Sequence, residues 1–547
     1  MDERLEMLVE RKEAVVLAVI TLAALLLRFR YAFISGMWVD EGRYALIATA
    51  LLEHPLRYMS PFHGVITNYP PVFPYLLWLS MTVLGWGKTA VYSVSPVMGT
   101  LGVVVTYFLG REMFGKLEGL TAASLLAFSP VYFFLSERIL IGVTLTFFYV
   151  LCMGLLYYGL EDREYSGYAL WALGPVTALA LLTKQPAYLM GPVFLIYFLL
   201  KEGRDVLKVR EDPMRYRHLY VGVLLGAVTL APWMLRNVTV CGSVLCSSSK
   251  ALEHIFNTDP AAWTNTGGPL YYFINLPALV TFPVALLLAV RYIPVDAVLS
   301  LAYRDVKKVG SIAGLTVLFS VVALFTIPRT APFFFLLGIG LLQDTDEERL
   351  LWLWIAFGVG FMSTVTIKVP RYVVFVVPAL MLLTAKLLVD LRDMAARYLE
   401  LEDWMLTGGL ALVVLALSVF AAMNAIQVTV GSAGGFQKLE PAGRWFQGME
   451  EPEVLASSPR QILFYSRNGP NVTIMPSNRT RTERLIRSGR YEFVVADLYE
   501  RTRSKTVRYI LTRLGRTDVL TPVRVYRERF RGRKRPSVVI YRVNATA

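Results

Sequence analysis

The sequence predicts a polytopic α-helical membrane protein of about thirteen transmembrane helices, followed by a soluble α/β domain at its carboxyl end. Two observations carry the prediction for the membrane part. Of the 547 residues, 55% are hydrophobic and the mean hydropathy is +0.50, which is too apolar for an ordinary soluble globule. Apolar runs near the roughly 18 residues that span a bilayer also recur along the chain.

The predicted spans form two series, separated by a more polar stretch after residue 235. The first apolar run is too long for a cleaved signal peptide and lacks a small-residue cleavage site, so we expect it to remain as an anchor. The apolar runs are Ala14–Ile34, Val94–Leu109, Leu120–Leu135, Ile139–Leu160, Tyr168–Leu182, Ala187–Leu200, Leu219–Leu235, Tyr271–Val290, Ile312–Ile327, Pro332–Leu342, Leu350–Ile367, Tyr372–Val389 and Leu406–Ala425.

Short loops rich in Lys and Arg predict the orientation. Loops Arg111–Lys116, Lys201–Arg217 and Arg291–Lys308 belong in the cytoplasm by the positive-inside tendency. The amino terminus is then cytoplasmic, and the first outer loop (residues 35–90) and the carboxyl-terminal domain lie outside a plasma membrane. This orientation requires that Val72–Leu84, which is short for a crossing, lie at the interface instead.

Residues 430–547 differ in composition from the membrane part, residues 1–429. From residue 431 onward there are 23 Lys and Arg against 10 Asp and Glu. Short apolar runs alternate there with basic amphipathic segments, which is typical of a small α/β domain. The charge fits contact with anionic lipid headgroups, contact with an anionic glycan or acceptor, or a solvated surface. We expect no nucleic-acid partner, because the domain faces outward and lacks the usual recognition motifs.

A cluster of charged and aromatic residues, Trp38-Val-Asp-Glu-Gly-Arg-Tyr-Ala45, follows the first predicted span. Charged groups beside hydrocarbon are costly unless paired or solvated, and they often mark function. Asp40 and Glu41 form a candidate acid/base pair, and Arg43 could hold an anionic substrate. A surface Glu/Arg pair on an amphipathic loop helix explains the same spacing.

Further motifs occur in order through residues 14–393. They are Asn68-Tyr-Pro-Pro71, Tyr75-Leu-Leu-Trp78, Leu109-Gly-Arg-Glu-Met-Phe-Gly115, Ser129-Pro130, Ser136-Glu-Arg138, Leu182-Thr-Lys184, Pro232-Trp233, Arg236-Asn237, Lys368-Val-Pro-Arg-Tyr372 and Pro378. In this order and spacing the chain resembles the GT-C class of membrane glycosyltransferases. Within that class it is most similar to the branch of protein O-mannosyltransferases and lipid A aminoarabinose transferases.

The resemblance implies an inverting transfer of a sugar from a polyprenyl- or dolichyl-phosphate donor to a protein, glycan or lipid acceptor on the outer face. The first-loop acid of the family corresponds to Asp40, with Glu41 beside it. A carboxylate can deprotonate the attacking hydroxyl, and cations stabilise the departing lipid phosphate. The predicted substrate- and phosphate-binding residues are Arg43, Tyr44, Glu137, Arg138, Lys184, Arg236, Lys368, Arg371 and Tyr372.

Arg138 and Lys368 match the family pattern best, but the chain departs from it after Arg138. Many relatives carry a second acid there, whereas Ile139-Leu-Ile-Gly-Val143 has none. Glu137 or Glu41 could substitute, and a non-catalytic GT-C-like protein of envelope assembly remains an alternative. A transporter or flippase of a lipid-linked or anionic solute is another. The charges gather at span ends and no inverted repeat is evident, which favours an enzyme.

The sequence indicates no required cofactor. The four histidines form no metal-binding spacing, although Asp40 and Glu41 could supply oxygen ligands to Mg²⁺ or Mn²⁺. Membrane lipids are expected partners besides the donor and the acceptor. Cys241 and Cys246 fall in a predicted outer loop, where a disulfide is chemically allowed, and we expect them to pair.

Overall fold

The computed structural model describes a helical membrane part followed by an α/β part. The described residues are 3–62, 64–66, 69–161, 163–246, 249, 267–290, 306–399, 401–433, 436–467, 469–499, 503–530 and 533–544. The motif residue Asn68, most of the predicted cytoplasmic loop Arg291–Lys308 and residues 251–266 of the outer loop lie outside the described residues.

The membrane part is built from α-helices that are joined by short turns and 3₁₀ segments. The helices are α1 (Glu3–Ala32), α2 (Val39–Glu53), α3 (Val72–Leu84), α4 (Lys88–Met113), α5 (Lys116–Phe128), α6 (Pro130–Ser136), α7 (Gly142–Gly159), α8 (Ser166–Leu181), α9 (Met190–Glu202), α10 (Arg217–Cys241), α11 (Tyr271–Ile274), α12 (Leu276–Val280), α13 (Phe282–Val290), α14 (Val306–Thr326), α15 (Ala331–Leu342), α16 (Asp346–Ile355), α17 (Phe361–Thr364), α18 (Val377–Tyr398) and α19 (Asp403–Ala433). A two-stranded ribbon, β1 (Met59–Ser60) with β2 (Gly64–Val65), lies in the first loop.

Six helices among the described residues are long and apolar enough to cross a membrane. A seventh is counted if the bent pair α5 and α6 forms one span. The six are Arg11–Ala32, Lys88–Met113, Gly142–Gly159, Pro213–Cys241, Val374–Tyr398 and Asp403–Ser432. The prediction of a multi-pass membrane protein is confirmed, whereas the number thirteen and the orientation stay predictions.

Several predicted runs are interrupted where the backbone cannot continue a helix. Leu120–Leu135 is two helices that meet at an angle of 63°, because Pro130 lacks an N–H and disfavours helical backbone at Ser129. Tyr271–Val290 is three short helices, and Thr281 adopts a positive φ of 88° before the third one. Val72–Leu84 is a single helix of 13 residues, shorter than an ordinary crossing.

Small residues allow the central helices to pack closely. A Cβ atom on Gly119 of α5 would lie 2.7 Å from the carbonyl oxygen of Tyr107 on α4. Gly110 of α4 faces Gly119 at the same contact. Close approach at small residues is how membrane helices gain van der Waals contact without a hydrophobic driving force.

The carboxyl-terminal part is a mixed five-stranded sheet with helices on both faces, which confirms the prediction of an α/β domain. The strand order is β4-β3-β5-β7-β6, with β3, β4 and β5 parallel and the last two strands antiparallel. The strands are β3 (Glu453–Ala456), β4 (Asn471–Ile474), β5 (Phe493–Asp497), β6 (Leu520–Phe530) and β7 (Arg533–Val543), and the helices are α20 (Leu439–Arg444), α21 (Pro459–Ser466), α22 (Arg479–Arg487) and α23 (Ser504–Thr512).

One face of this sheet, with α20 and α21, contacts the membrane part. A Cβ atom on Gly42 of α2 would lie 3.1 Å from Cβ of Arg460 on α21. Gln461 donates a hydrogen bond to the carbonyl of Met37 at 3.3 Å. The first-loop helix is therefore held between the membrane part and the α/β domain. Helix α19 continues to Ala433, past the predicted division between residues 429 and 430. That division stays a prediction.

Candidate functional site

Helix α2 positions Asp40 and Glu41 in its first turn. Trp38 ends the extended backbone before the helix, and its N–H donates to Glu41 Oε2 at 2.7 Å. This contact satisfies one of the donors that a helix start leaves without a partner. Two carboxylates at a helix amino terminus are also favoured by the helix dipole. The local sequence therefore places both acids in the first turn of α2, and their different surroundings give them different roles.

A cavity of about 520 Å³ opens beside Asp40. Its wall carries three cations, Arg43, Lys184 and Arg371, together with the single carboxylate of Asp40 among the described lining residues. The full lining is Asp40, Arg43, Tyr44, Tyr69, Leu135, Leu140, Ile141, Gly142, Lys184, Arg371 and Tyr372. We call it the first cavity. Its excess of positive charge suits an anion.

Aromatic rings hold the cations of the first cavity in place. The Arg43 guanidinium lies 5.0 Å from the ring centre of Tyr69 and donates a hydrogen bond to its hydroxyl. The Lys184 ammonium lies 5.2 Å from the ring centre of Tyr372. Burial lowers the pKa of Lys184 to about 8, and Arg371 lowers it while Asp40 opposes that shift. Lys184 is therefore a cation that titrates near neutral pH.

A second cavity, of about 760 Å³, lies on the other side of Asp40, between the membrane part and the α/β domain. Asp40, Leu135 and Arg371 line both cavities. The remaining wall is mostly apolar and aromatic: Trp38, Val39, Pro130, Val131, Phe134, Ala278, Val369, Pro370, Val428, Ser432, Phe436 and Tyr499. A cavity with this lining suits an amphipathic molecule better than a free ion.

An ion pair lies where the two cavities meet. Arg371 Nη2 lies 3.4 Å from Asp40 Oδ2. Their side chains are 36% and 44% exposed, so both atoms are reachable from the cavities. Pro370 starts the 3₁₀ turn that holds Arg371 in this position, since proline fixes its own φ at the start of such a turn.

Glu41 faces away from both cavities. Its carboxylate lies 2.7 Å from Arg138 Nε, and both side chains are fully buried. The backbone N–H of Ile139 and the hydroxyl of Tyr92 donate to the same carboxylate, at 3.2 and 3.3 Å. Desolvation raises the pKa of Glu41, and Arg138 with these donors opposes the shift. The guanidinium of Arg138 stacks 3.9 Å from the ring centre of Trp38.

The fold and part of the sequence are shared with known proteins. A family model described as dolichyl-phosphate-mannose-protein mannosyltransferase matches residues 68–235. ArnT from Cupriavidus metallidurans, solved with undecaprenyl phosphate bound, is similar with a TM-score of 0.63 and 15% identity, over 97% of this chain and 98% of ArnT. The chain has the GT-C fold.

Two other similar proteins extend this comparison of the GT-C fold. AglB, an archaeal oligosaccharyltransferase from Archaeoglobus fulgidus, was solved with an inhibitory peptide and a dolichol-phosphate. It is similar with a TM-score of 0.55 and 11% identity, over 96% of this chain and 74% of AglB. An uncharacterised protein of Aquifex aeolicus (strain VF5) is 25% identical over 223 residues, and that match spans 40% of this chain and 42% of the relative.

Besides Arg138, which is buried against Glu41, three more residues that the GT-C resemblance selected lie outside the lining of both cavities. Glu137 is buried and accepts a hydrogen bond at 2.7 Å from Thr429 of the last span. Lys368 donates to the carbonyl of Val365, and its burial, with Arg329 nearby, lowers its pKa to about 8. Arg236 donates to two carbonyls of the first loop, those of Tyr58 and Ile66. All three make structural contacts in this state of the protein.

The structure brings other residues to the site that the sequence did not select. Tyr69 belongs to the motif Asn68-Tyr-Pro-Pro71 but was not among the predicted binding residues, and its ring faces Arg43. Leu140, Ile141 and Gly142 occupy the segment where many relatives carry a second acid, and they form an apolar wall of the first cavity. Tyr499 reaches the second cavity although it lies 66 residues beyond Ala433, the end of α19, and no pattern in the sequence signals that contact.

The remaining predictions concern metals and cysteines. Cys241 and Cys246 are joined by a disulfide, which confirms the predicted pairing. In the described part of the chain, no group of three or more His, Cys, Asp or Glu residues could hold a metal ion. Asp40 faces cations rather than other carboxylates, so the donor set around it does not fit Mg²⁺ or Mn²⁺, which prefer several oxygen ligands.

Proposed function

We propose that this protein transfers a sugar from a polyprenyl- or dolichyl-phosphate donor to an acceptor hydroxyl on the outer face of the membrane. One observation carries the proposal: Asp40 lies where two cavities meet, and one of these cavities is lined by three cations. ArnT and AglB, which share the fold, were solved with undecaprenyl phosphate and a dolichol-phosphate. Those ligands support the same chemical class of donor here.

The first cavity is the proposed site of the donor phosphate. Arg43, Lys184 and Arg371 together exceed the charge of Asp40 by two, which offsets the single charge of the donor phosphodiester and the second charge that develops on the departing lipid phosphate. Guanidinium groups bind phosphate oxygens through paired hydrogen bonds, and the ammonium of Lys184 adds a point charge. These cations stabilise the charge that grows on the phosphate as the sugar leaves. The apolar wall Leu140–Gly142 gives the polyprenyl chain or the sugar ring a surface free of competing acids.

The second cavity is the proposed site of the acceptor. Asp40 accepts the proton of the acceptor hydroxyl while the hydroxyl oxygen forms a bond to the anomeric carbon. The bond from that carbon to the phosphate oxygen breaks at the same time, and its electrons leave with the lipid phosphate. Attack from the second cavity and departure into the first lie on opposite sides of Asp40, which supports inversion at the anomeric carbon.

Glu41 serves in this proposal as a positioning residue rather than as the catalytic base. Four donors surround its carboxylate, including the guanidinium of Arg138. A carboxylate that is fully buried against Arg138 in this way cannot reach the acceptor. Glu41 and Arg138 instead fix the first turn of α2, on which Asp40 stands. The cations of the first cavity also supply the charge that a divalent metal would otherwise provide.

The test is sugar transfer by the purified full-length protein in reconstituted membranes. Radiolabelled polyprenyl-phosphate sugars serve as donors, and extracted glycolipids and envelope proteins serve as acceptors. We expect a labelled product whose anomeric configuration is opposite to that of the donor, and we expect a chelator to leave its rate unchanged. A retained configuration would contradict the scheme. Donor binding without product, for every donor offered, would favour the non-catalytic alternative, and movement of the donor across the membrane would favour a flippase.

A further inference from the structure

The carboxyl edge of the α/β sheet faces the membrane part. The parallel strands β3 and β5 end at Ala456 and Asp497 on this edge. Just beyond them, Arg460 contacts helix α2, and Tyr499 lines the second cavity. The edge at which ligands of open α/β sheets usually bind is therefore turned toward the membrane surface.

A hairpin extends past this edge. Strand β5 makes its last backbone contact with the hairpin through the N–H of Leu498, which donates to Ser537 at 3.0 Å. The hairpin strands β6 and β7 continue to Phe530 and Arg533. Four residues of β7 thus lie beyond the edge, roughly 13 Å at about 3.3 Å per residue. We call residues 527–530 and 533–536 the hairpin end.

Two contacts place the hairpin end beside the exit of the last span. Phe436 follows that span by a few residues, and its ring lies 5.0 Å from the ring of Tyr499. The hydroxyl of Tyr499 donates to Glu528 of β6 at 2.9 Å. Glu528 is thus two side-chain contacts away from the segment that leaves the membrane. The hairpin end consequently lies at the height of the headgroups if α19 spans the bilayer.

The hairpin end is strongly basic. Of its eight residues, Arg527-Glu-Arg-Phe530 and Arg533-Lys-Arg-Pro536, five are cationic and one is acidic. The side chains of Arg527, Lys534 and Arg535 are exposed. Several like charges on one short hairpin repel each other, and an anionic surface or salt reduces that repulsion. The charge of the hairpin end and its position beside the last span both indicate an anionic membrane surface as its partner.

We propose that the hairpin end binds the anionic headgroups of the surrounding bilayer and thereby holds the α/β domain over the second cavity. Each Lys or Arg near an anionic leaflet adds attraction that falls off within a Debye length, so a cluster binds far more firmly than one cation. The inference rests on the placement of the hairpin and not on sugar transfer. It holds or fails independently of the proposed function.

The test uses the full-length protein in lipid nanodiscs with a fluorophore on Lys534→Cys. The native cysteines do not compete for the label, because Cys152 is buried and Cys241 is bonded to Cys246. Discs of phosphatidylcholine are compared with discs that also contain phosphatidylglycerol, both doped with a headgroup-quencher lipid. We expect strong quenching in the anionic discs, little in the neutral ones, and loss of the difference at about 1 M salt, where the Debye length is about 3 Å.

Matched variants distinguish lipid binding by the hairpin end from an effect of net charge and from unfolding. A label on Asp518→Cys, at the opposite end of the hairpin, should stay unquenched in both discs. A label on Arg527→Cys should behave like the one on residue 534. With the label on residue 534, Arg508→Glu on α23 should change nothing. The matched charge reversal in the hairpin end, Arg527→Glu, should make the quenching in anionic discs disappear at a lower salt concentration than without the reversal.

Three results would overturn the inference. They are equal quenching in neutral and anionic discs, no quenching in either, and equal effects of Arg527→Glu and Arg508→Glu. A label at residue 534 that responds to added inorganic polyphosphate but not to anionic lipid would also overturn it, and would assign the hairpin end to a soluble polyanion.

Discussion

Asp40 and Arg371 are the residues at which the two cavities meet, and the weakness of their contact is useful. An ion pair with this exposure contributes about 0–1 kcal/mol. A lipid phosphate in the first cavity can therefore take Arg371 at little cost, because guanidinium–phosphate contacts are charge-assisted on both sides. Asp40 is then left without its cation and faces the second cavity as an anionic base.

Lys184 is expected to make donor binding depend on pH. Its pKa is lowered to about 8 by burial, so the free enzyme loses this cation as the pH rises through that value. A charge-assisted hydrogen bond contributes about 1.5–3 kcal/mol. We therefore expect the KM for the donor to rise about tenfold between about pH 7 and pH 9. The measurement is initial rate against donor concentration across this range.

The matched variants for this prediction are Lys184→Arg and Lys201→Arg. Arginine keeps its proton at every pH in this range, so Lys184→Arg should flatten the dependence of KM on pH. Lys201 lies far from the cavity on α9, and its replacement should leave the profile as in the wild type. An unchanged profile in Lys184→Arg would assign the titration to another group.

At the scale of single elements, helix α2 depends on the buried pair of Glu41 and Arg138. In the sequence, Glu41 and Arg138 stand at the ends of predicted spans, and Asp40 and Glu41 looked alike because they are adjacent. In the first turn of α2 these two adjacent side chains point to different surroundings. Only the contacts with Trp38 and Tyr92 show that Glu41 is enclosed. Burial of this kind follows from contacts between distant segments, which spacing does not encode.

Removal of one partner of this pair should be costly. Glu41→Ala leaves the Arg138 cation buried without its carboxylate, and broken buried pairs typically cost about 3–5 kcal/mol. We expect a clear fall in thermal stability of the detergent-solubilised protein. The pair of Arg487 and Glu483, whose side chains are 45% and 27% exposed, provides the control, since Arg487→Ala should cost about 0–1 kcal/mol and leaves the hydrogen bond from Tyr509 to Glu483 in place. Replacing both members, as in Glu41→Gln with Arg138→Met, should recover part of the loss, and failure of any recovery would contradict this account of the pair.

In the tail, the strands and helices whose apolar residues follow a regular pattern were predictable from the sequence, and strand β6, whose pattern is interrupted, was not. The apolar runs of the tail correspond to β3, β4, β5 and part of β7, and its basic amphipathic segments correspond to α22 and α23. Strand β6 was missed because arginines interrupt its apolar residues. A register shift beside Arg527 further disturbs its alternation.

At the scale of the whole molecule, the α/β domain rests on the helix that carries Asp40. The composition of the tail predicted a separate basic domain, and the membrane part was predicted as a multi-pass helical unit. Neither pattern predicted that the two parts would form one cavity. Trp86 donates to the carbonyl of Phe464 at 3.2 Å, and Gln437 donates to the carbonyl of Ile34 at 2.6 Å. Such contacts join segments hundreds of residues apart, so only the fold reveals them.

Gly42 offers a way to disturb this contact. Because a Cβ atom there would already lie 3.1 Å from Arg460, Gly42→Leu must push α21 away from α2, at a cost of about 1–3 kcal/mol for overpacking. We expect faster hydrogen–deuterium exchange in residues 459–466. Gly191→Leu on α9 is the control, because a Cβ atom at Gly191 meets nothing within 4 Å. Unchanged exchange in Gly42→Leu would show that the interface does not depend on this contact.

The central claim is that Asp40 is the base that activates the acceptor, and transfer by Asp40→Asn tests it most directly. The amide keeps the shape of the side chain but cannot accept the hydroxyl proton, so we expect the rate to fall by about 10²–10⁴-fold. Membrane insertion, the disulfide and binding of the polyprenyl-phosphate donor should remain as in the wild type. Transfer at the wild-type rate by a folded Asp40→Asn protein would contradict the account.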